Sequence, residues 1–94
     1  MKILISESQN SRLMEIFYDY MGKLKLDRDD QETSIWVTLN KDLVLYYDYR
    51  GEILHISKPF YEMLKSAFPF IENYDLVSWF EKTYDVDVAH LNGY

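Results

Sequence analysis

Residues 34–57 read SIWVTLNKDLVLYYDYRGEILHIS, and this stretch decides the fold. It contains three runs of β-branched and aromatic residues, the types that favour strands. The runs are separated by Asn40-Lys41-Asp42 and by Arg50-Gly51, whose residue types favour tight turns. The pattern therefore predicts an antiparallel meander of three strands.

The register of this meander follows from the pairing that keeps apolar side chains on one face, since side chains alternate along a strand. We expect a three-residue turn at 40–42 and a two-residue turn at 50–51. The predicted buried face holds Ile35, Val37, Leu39, Leu43, Leu45, Tyr47, Leu54 and Ile56. The predicted opposite face holds Trp36, Thr38, Val44, Tyr46, Asp48, Ile53, His55 and Ser57. On that second face Trp36, Tyr46 and His55 are expected to lie side by side on neighbouring strands.

Three helices are predicted around the meander, over about 7–23, 58–68 and 74–84. Ser6 to Gln9 has the spacing of a capping box, and Ser57-Lys58-Pro59 is typical of a helix start. Apolar residues recur at helical spacing in the first two helices, and they nearly surround the axis of the third.

Two further segments complete the predicted order. Residues 25–33, KLDRDDQET, contain almost no apolar residue and predict a loop. The alternating residues 86–91 predict an additional strand at the sheet edge, paired within the chain or with another copy. We expect one α+β domain over residues 1–94. An antiparallel sheet of three or four strands would carry the helices on one face.

Composition excludes several classes of protein. The net charge of −6 disfavours direct binding to nucleic acid, which relies on lysine and arginine to neutralise phosphates. The chain has no cysteine, which excludes disulfides and thiolate metal sites. No apolar run approaches the length of a membrane span, and the opening residues do not resemble a signal peptide. We expect an acidic intracellular protein of the cytoplasm.

No motif indicates an enzyme. The sequence has no nucleophile elbow, phosphate-binding loop, dinucleotide fingerprint or zinc-protease motif. Its two histidines, His55 and His90, are not at ligand spacing, so we expect no metal site and no cofactor. The sequence therefore predicts a protein that binds without catalysing a reaction.

The aromatic content is the feature that points to binding. The chain has nine tyrosines, two tryptophans and five phenylalanines, and tyrosine and tryptophan supply much of the energy of protein interfaces. We predict a partner-binding surface of Trp36, Tyr46, His55 and Trp79. The competing interpretation is that a helix or a second subunit simply covers this face. We expect a homo-oligomer, and one formed through this face would satisfy both interpretations.

A small ligand is the alternative to a protein partner. A nucleotide or another anion would stack on Trp36 or Tyr46, and Arg50, Lys58 or Arg12 would pair with its phosphate. The protein would then act as a sponge that sequesters this ligand, either in one chain or at a dimer interface.

Two segments resemble small accessory proteins of tailed phages. The opening MKILISESQ is similar to their Ile-Ser-Glu-Ser-Gln start, and LVSWFEKTY at residues 76–84 is similar to the ends of some of them. This resemblance implies a viral accessory protein that works inside the host cell. In this class small inhibitors of host-encoded proteins and ligand sponges are both frequent, so the resemblance implies a protein that blocks a protein partner or, alternatively, sequesters a ligand.

Overall fold

The computed structural model describes residues 7–30 and 33–93. In chain order the elements are α1 (Glu7–Met21), β1 (Lys25–Asp30), β2 (Ser34–Leu39), β3 (Asp42–Asp48), β4 (Ile53–Ile56), α2 (Lys58–Ala67), α3 (Asn73–Tyr84) and β5 (His90–Gly93). The strands form one five-stranded sheet in the order β1-β2-β3-β4-β5. The predicted α+β class is confirmed, but the sheet is mixed and has more strands than the three or four predicted.

The three helices lie close to their predicted ranges. Ser57 occupies the position before α2 with an extended backbone, as predicted, although its side chain makes no capping hydrogen bond. The start of α3 is held by Asp75, whose carboxylate accepts a hydrogen bond of 2.8 Å from the backbone N–H of Glu72. The predicted cap of α1 at Ser6 lies outside the described residues.

The turn between β2 and β3 is shorter than predicted. Asn40 and Lys41 alone form it, with φ angles of 52° and 71°, and Leu39 pairs with Asp42. Positive φ at both central residues is typical of a type I′ turn, which matches the twist of the strands that it joins.

A β-bulge in β3 restores the predicted register beyond this turn. Val37 pairs with Leu45 as predicted, whereas Thr38 pairs with Leu43, so Val44 is the extra residue between the two pairs. Val44 is buried, and Leu43 lines a surface pocket together with Thr38. The predicted faces of Val44 and Leu43 were wrong because a bulge interrupts the alternation of side chains.

The pairing of β3 with β4 is the predicted one, with Tyr47 opposite Leu54. The connection is a loop over residues 49–52, and its positive φ of 53° falls on Glu52 rather than on Gly51. A Cβ atom at Gly51 would lie 2.9 Å from the Cδ1 atom of Ile53, so a side chain there would have to displace the end of the Ile53 side chain.

The edge strand β1 was predicted as a loop, and that prediction was wrong. Its backbone pairs with β2, from Lys25 opposite Thr38 to Asp30 opposite Ser34, and all of its side chains are exposed. A strand that buries no side chain has no apolar alternation, which is the signal that pattern reading uses. Its charged side chains also oppose pairing with another chain at this edge.

The other edge strand, β5, runs parallel to β4 within the same chain, with Leu91 opposite Leu54. The predicted strand over 86–91 was therefore placed too early, because residues 86–89 are not in a strand.

Other hydrogen bonds satisfy the backbone of this earlier segment. The N–H of Val88 donates to the Oε2 atom of Glu81 over 2.9 Å, and the carbonyl of Asp87 accepts from the hydroxyl of Tyr47. The N–H of Ala89 donates to the carbonyl of Glu52 over 2.7 Å. Because these bonds engage the backbone of residues 87–89, that segment does not pair with β4, and β5 begins only at His90.

All three helices bury their apolar side chains against one face of the sheet, and this burial is the main source of stability. The buried cluster contains Phe17 and Met21 of α1, Phe60 and Leu64 of α2, and Leu76, Trp79 and Phe80 of α3. From the sheet it contains Ile35, Val37, Val44, Leu45, Tyr47, Leu54 and Ile56.

Candidate functional site

The face of the sheet opposite the helices carries a row of side chains that crosses all five strands. The register places Arg28, Trp36, Tyr46, His55 and Asn92 opposite one another, one on each strand. We call these five residues the cross-strand row and the surface around them the open face. The predicted alignment of Trp36, Tyr46 and His55 is confirmed.

Neighbouring members of the row are in contact. The rings of Trp36 and Tyr46 meet edge to face, with centroids 5.0 Å apart, and the centroids of Tyr46 and His55 are 5.5 Å apart. The Nδ1 atom of His55 lies 3.3 Å from the amide nitrogen of Asn92. The three rings are partly exposed, so they are held in place and still accessible.

A hydrogen bond within β2 fixes the orientation of Trp36. Its indole N–H donates to the Oγ atom of Ser34 over 2.8 Å, and Ser34 is buried. Since the only polar atom of the indole is already bonded to Ser34, the rest of the ring is left for apolar or stacking contacts.

Charge is unequally distributed between the two ends of the open face. Lys23, Lys25 and Lys41 lie at the end next to the β2–β3 turn, where they line a common pocket. Asp30 and Asp48 lie toward the opposite end of the face, where both are opposite Ser34 in the register. Such a separation orients a charged partner before contact.

Trp79 does not join this surface. It is 9% exposed, belongs to the buried cluster, and packs against the rings of Phe80 and Tyr84. The predicted partner-binding set therefore divides, with Trp36, Tyr46 and His55 on the open face and Trp79 in the core beneath the other face.

The residues predicted for the alternative ligand site do not converge. Arg50 lies in the β3–β4 loop, at the end of the sheet away from the β2–β3 turn, and Lys58 lines a different small pocket with Tyr61. Trp36 and Tyr46 are neighbours. The basic side chains that line a pocket with Trp36, however, are Lys23, Lys25 and Lys41, and not Arg50 or Lys58.

The tyrosines whose pKa is raised lie in the packed parts of the fold. Burial raises the pKa of Tyr47 and of Tyr84, and the charge of Glu52 raises the pKa of Tyr47 further. Burial also raises the pKa of Tyr49, as does the hydrogen bond that its hydroxyl donates to Asp29 over 3.2 Å. These shifts reflect packing, since Tyr47, Tyr49 and Tyr84 all lie in or against the core.

Within residues 7–30 and 33–93, no group of three or more histidines or carboxylates is placed to hold a metal ion. No helix in this part of the chain is long and apolar enough to cross a membrane.

Two members of the cross-strand row, Arg28 and Asn92, were missed by sequence reasoning. Arg28 lies on the exposed strand β1, which has no apolar pattern, and Asn92 follows the predicted end of the last strand. The N–H donors of Arg28 and the amide of Asn92 add hydrogen-bonding groups to both ends of an aromatic row.

Comparison with known proteins gives no relative: no protein family, no curated protein and no solved structure matches this chain. The resemblance of the opening segment and of residues 76–84 to tailed-phage proteins stays a prediction.

Proposed function

We propose that this chain is a non-enzymatic binding protein whose open face docks against a protein partner. The observation that supports this proposal is the cross-strand row, in which Trp36, Tyr46 and His55 contact one another and remain partly exposed. Tyrosine and tryptophan dominate the energy of protein interfaces because they bury a large area at a small cost in side-chain entropy.

The shape of the surface favours a protein over a small molecule as the main partner. Strands lie about 4.8 Å apart, so a row across five strands extends about 19 Å. That length suits the centre of a protein interface, with aromatic anchors in the middle and polar residues such as Arg28 and Asn92 at the rim.

Steric occlusion is the mechanism that we propose. The partner would lose access to its own target when its surface is covered by Trp36 and Tyr46. The net charge of −6 would speed the approach of a basic partner through long-range attraction. The resemblance to phage accessory proteins makes a host-encoded protein the partner that we propose.

Self-association through the same face is supported by the distribution of charge. A two-fold axis near Tyr46 would set the lysines at one end of the open face against Asp30 and Asp48 of a second copy. Isologous contacts of this kind are the commonest form of homodimer.

Alanine variants of the row test the proposal. Trp36→Ala and Tyr46→Ala are expected to abolish co-purification of the partner, and to reduce the solution mass if the protein is a dimer. Tyr74→Ala is the matched control, since Tyr74 lies on α3 and is 76% exposed. Circular dichroism checks that each variant is folded. Retention of partner and mass in Trp36→Ala and Tyr46→Ala would contradict the proposal.

A further inference from the structure

A pocket of about 680 Å³ lies at the lysine end of the open face. Strand β2 forms one wall of the pocket. The lining includes apolar, polar and charged residues, and its charged residues are three lysines and one aspartate. The lining residues are Lys23, Lys25, Leu26, Asp27, Trp36, Thr38, Asn40, Lys41 and Leu43. The volume falls within the range of about 300–1,000 Å³ that is typical of small-molecule sites.

Two β-bulges flank the strand that forms this wall. The register of β1 shifts between Leu26 and Arg28, and that of β3 shifts as β2 passes from Val37 to Thr38. Bulges bend a strand and redirect its side chains, and they are frequent beside binding sites. Here the bulge in β3 turns Leu43 into the pocket, which gives it an apolar surface next to Trp36.

The indole of Trp36 provides a flat surface of fixed orientation. Its N–H is bonded to Ser34, and the ring of Tyr46 supports it edge to face at 5.0 Å. Because both contacts exist without a ligand, the ring needs no rearrangement before a planar group stacks on it.

The lysines supply positive charge in a chain that is otherwise acidic. The chain has 16 acidic and 10 basic residues, yet bases outnumber acids in this pocket. Lys23, Lys25 and Lys41 are exposed, and they approach from three places: the segment after α1, strand β1 and the β2–β3 turn. The ammonium of Lys23 lies 5.6 Å from the ring centroid of Tyr20, which limits its range of positions.

We propose that this pocket binds a small anion that carries a flat ring, of the nucleoside monophosphate class. The ring would stack on Trp36, and Lys25 and Lys41 would hold the phosphate through charge-assisted hydrogen bonds. The inference goes beyond the proposed partner-binding function, since it uses the lysine end of the open face and a different class of ligand.

Tryptophan fluorescence gives a direct readout when Trp79 is replaced. In Trp79→Phe the only indole left is that of Trp36, because the chain has two tryptophans. Titration with AMP is expected to quench this fluorescence to a saturating value. Adenosine, which lacks the charge, and inorganic phosphate, which lacks the ring, are each expected to bind at least about tenfold more weakly than AMP.

Lysine variants then locate the site. In the Trp79→Phe background, Lys25→Gln and Lys41→Gln are each expected to weaken AMP binding by about tenfold, as loss of a charge-assisted hydrogen bond implies. Lys82→Gln is the matched control, because Lys82 is exposed on α3 and outside the pocket, and it should leave AMP binding unchanged.

Three results would overturn the inference: no saturable quenching by AMP, equal affinity for AMP and adenosine, or unchanged AMP affinity in both lysine variants. If Trp79→Phe fails to fold, isothermal titration calorimetry on the unmodified chain and the lysine variants gives the same comparisons. Because Tyr46→Ala tests the protein partner and the lysine variants test the ligand, failure of one proposal is distinguishable from failure of the other.

Discussion

The indole of Trp36 and the phenol ring of Tyr46 meet edge to face on adjacent strands, with ring planes at 89° and centroids 5.0 Å apart. Trp36 and Tyr46 are also directly opposite in the β2–β3 ladder, so the backbone register itself brings the rings together. Such a pair contributes about 0.5–1.5 kcal/mol beyond the area that it buries. The open face is therefore ordered before any partner arrives.

The two tryptophans are expected to differ in access to solvent. Trp36 is partly exposed on the open face, whereas Trp79 is 9% exposed in the core. Acrylamide should quench the fluorescence of Trp79→Phe, which retains Trp36, more strongly than that of Trp36→Phe. The Stern–Volmer slopes of the two variants measure this difference. Equal slopes would show that the two indoles are equally accessible, which contradicts the described fold.

The bulge in β3 predicts an inverted order of stability effects. Val44→Ala removes two buried methyl groups and should lower the free energy of unfolding by about 2 kcal/mol. Leu43→Ala removes more atoms but from a pocket wall, so its loss should stay below about 1 kcal/mol. Urea unfolding of both variants measures the order. A larger loss in Leu43→Ala than in Val44→Ala would indicate that side chains alternate regularly along β3, which contradicts the bulge.

The type I′ turn predicts a stabilising substitution. Lys41 has a φ of 71°, where a side chain is unfavourable, and Asn-Gly is the preferred pair for this turn. Lys41→Gly should therefore raise the free energy of unfolding by about 1 kcal/mol. Lys41→Ala is the control, since alanine removes the charge but keeps the Cβ atom. Thermal unfolding of both variants separates the backbone effect, and an equal change in the two would count against the turn.

The hydroxyl of Tyr47 predicts how stability depends on pH. Burial, with the charge of Glu52, raises the pKa of Tyr47 in the folded chain above the value of about 10 that it has when unfolded. Below about pH 10 both states keep the proton, whereas above it the unfolded state loses the proton first. Stability should consequently fall as pH rises above about 10.

Tyr47→Phe tests this dependence. The variant loses the hydrogen bond to the carbonyl of Asp87, so it should be less stable by about 1 kcal/mol at neutral pH. It should also lose less stability than the unmodified chain above about pH 10, with the remaining fall due to Tyr49 and Tyr84. Urea unfolding at several pH values measures both effects. Parallel pH profiles for the two chains would rule out a contribution from Tyr47.

The centre of the fold could be predicted because its strands bury one face and expose the other. Burial of Ile35, Leu45 and Leu54 sets the register, and this register alone places Trp36, Tyr46 and His55 together. The turn type and the bulge could not be predicted, since a three-residue turn and a two-residue turn with a bulge give the same pairing of Val37 with Leu45.

The edges of the sheet could not be predicted for a different reason. Strand β1 is held by backbone hydrogen bonds and buries no side chain, so its sequence KLDRDD carries no periodic signal. The start of β5 depends on contacts that are distant in sequence, such as the bond from Ala89 to Glu52. The pocket at the lysine end of the open face is formed by an edge strand and a bulge. Since the sequence predicted neither of them, it could not predict the pocket.

Site-specific photo-cross-linking tests the central claim, which is that the open face is where this protein meets its partner. A photoreactive phenylalanine analogue would replace Tyr46 on the open face or, as the matched control, the exposed Tyr74 on α3. After irradiation in cells that naturally produce the protein, mass spectrometry would compare the adducts. We predict a discrete protein adduct, with a partner or a second copy, from position 46 and none from position 74. No adduct at position 46, or the same adducts from both positions, would contradict the account.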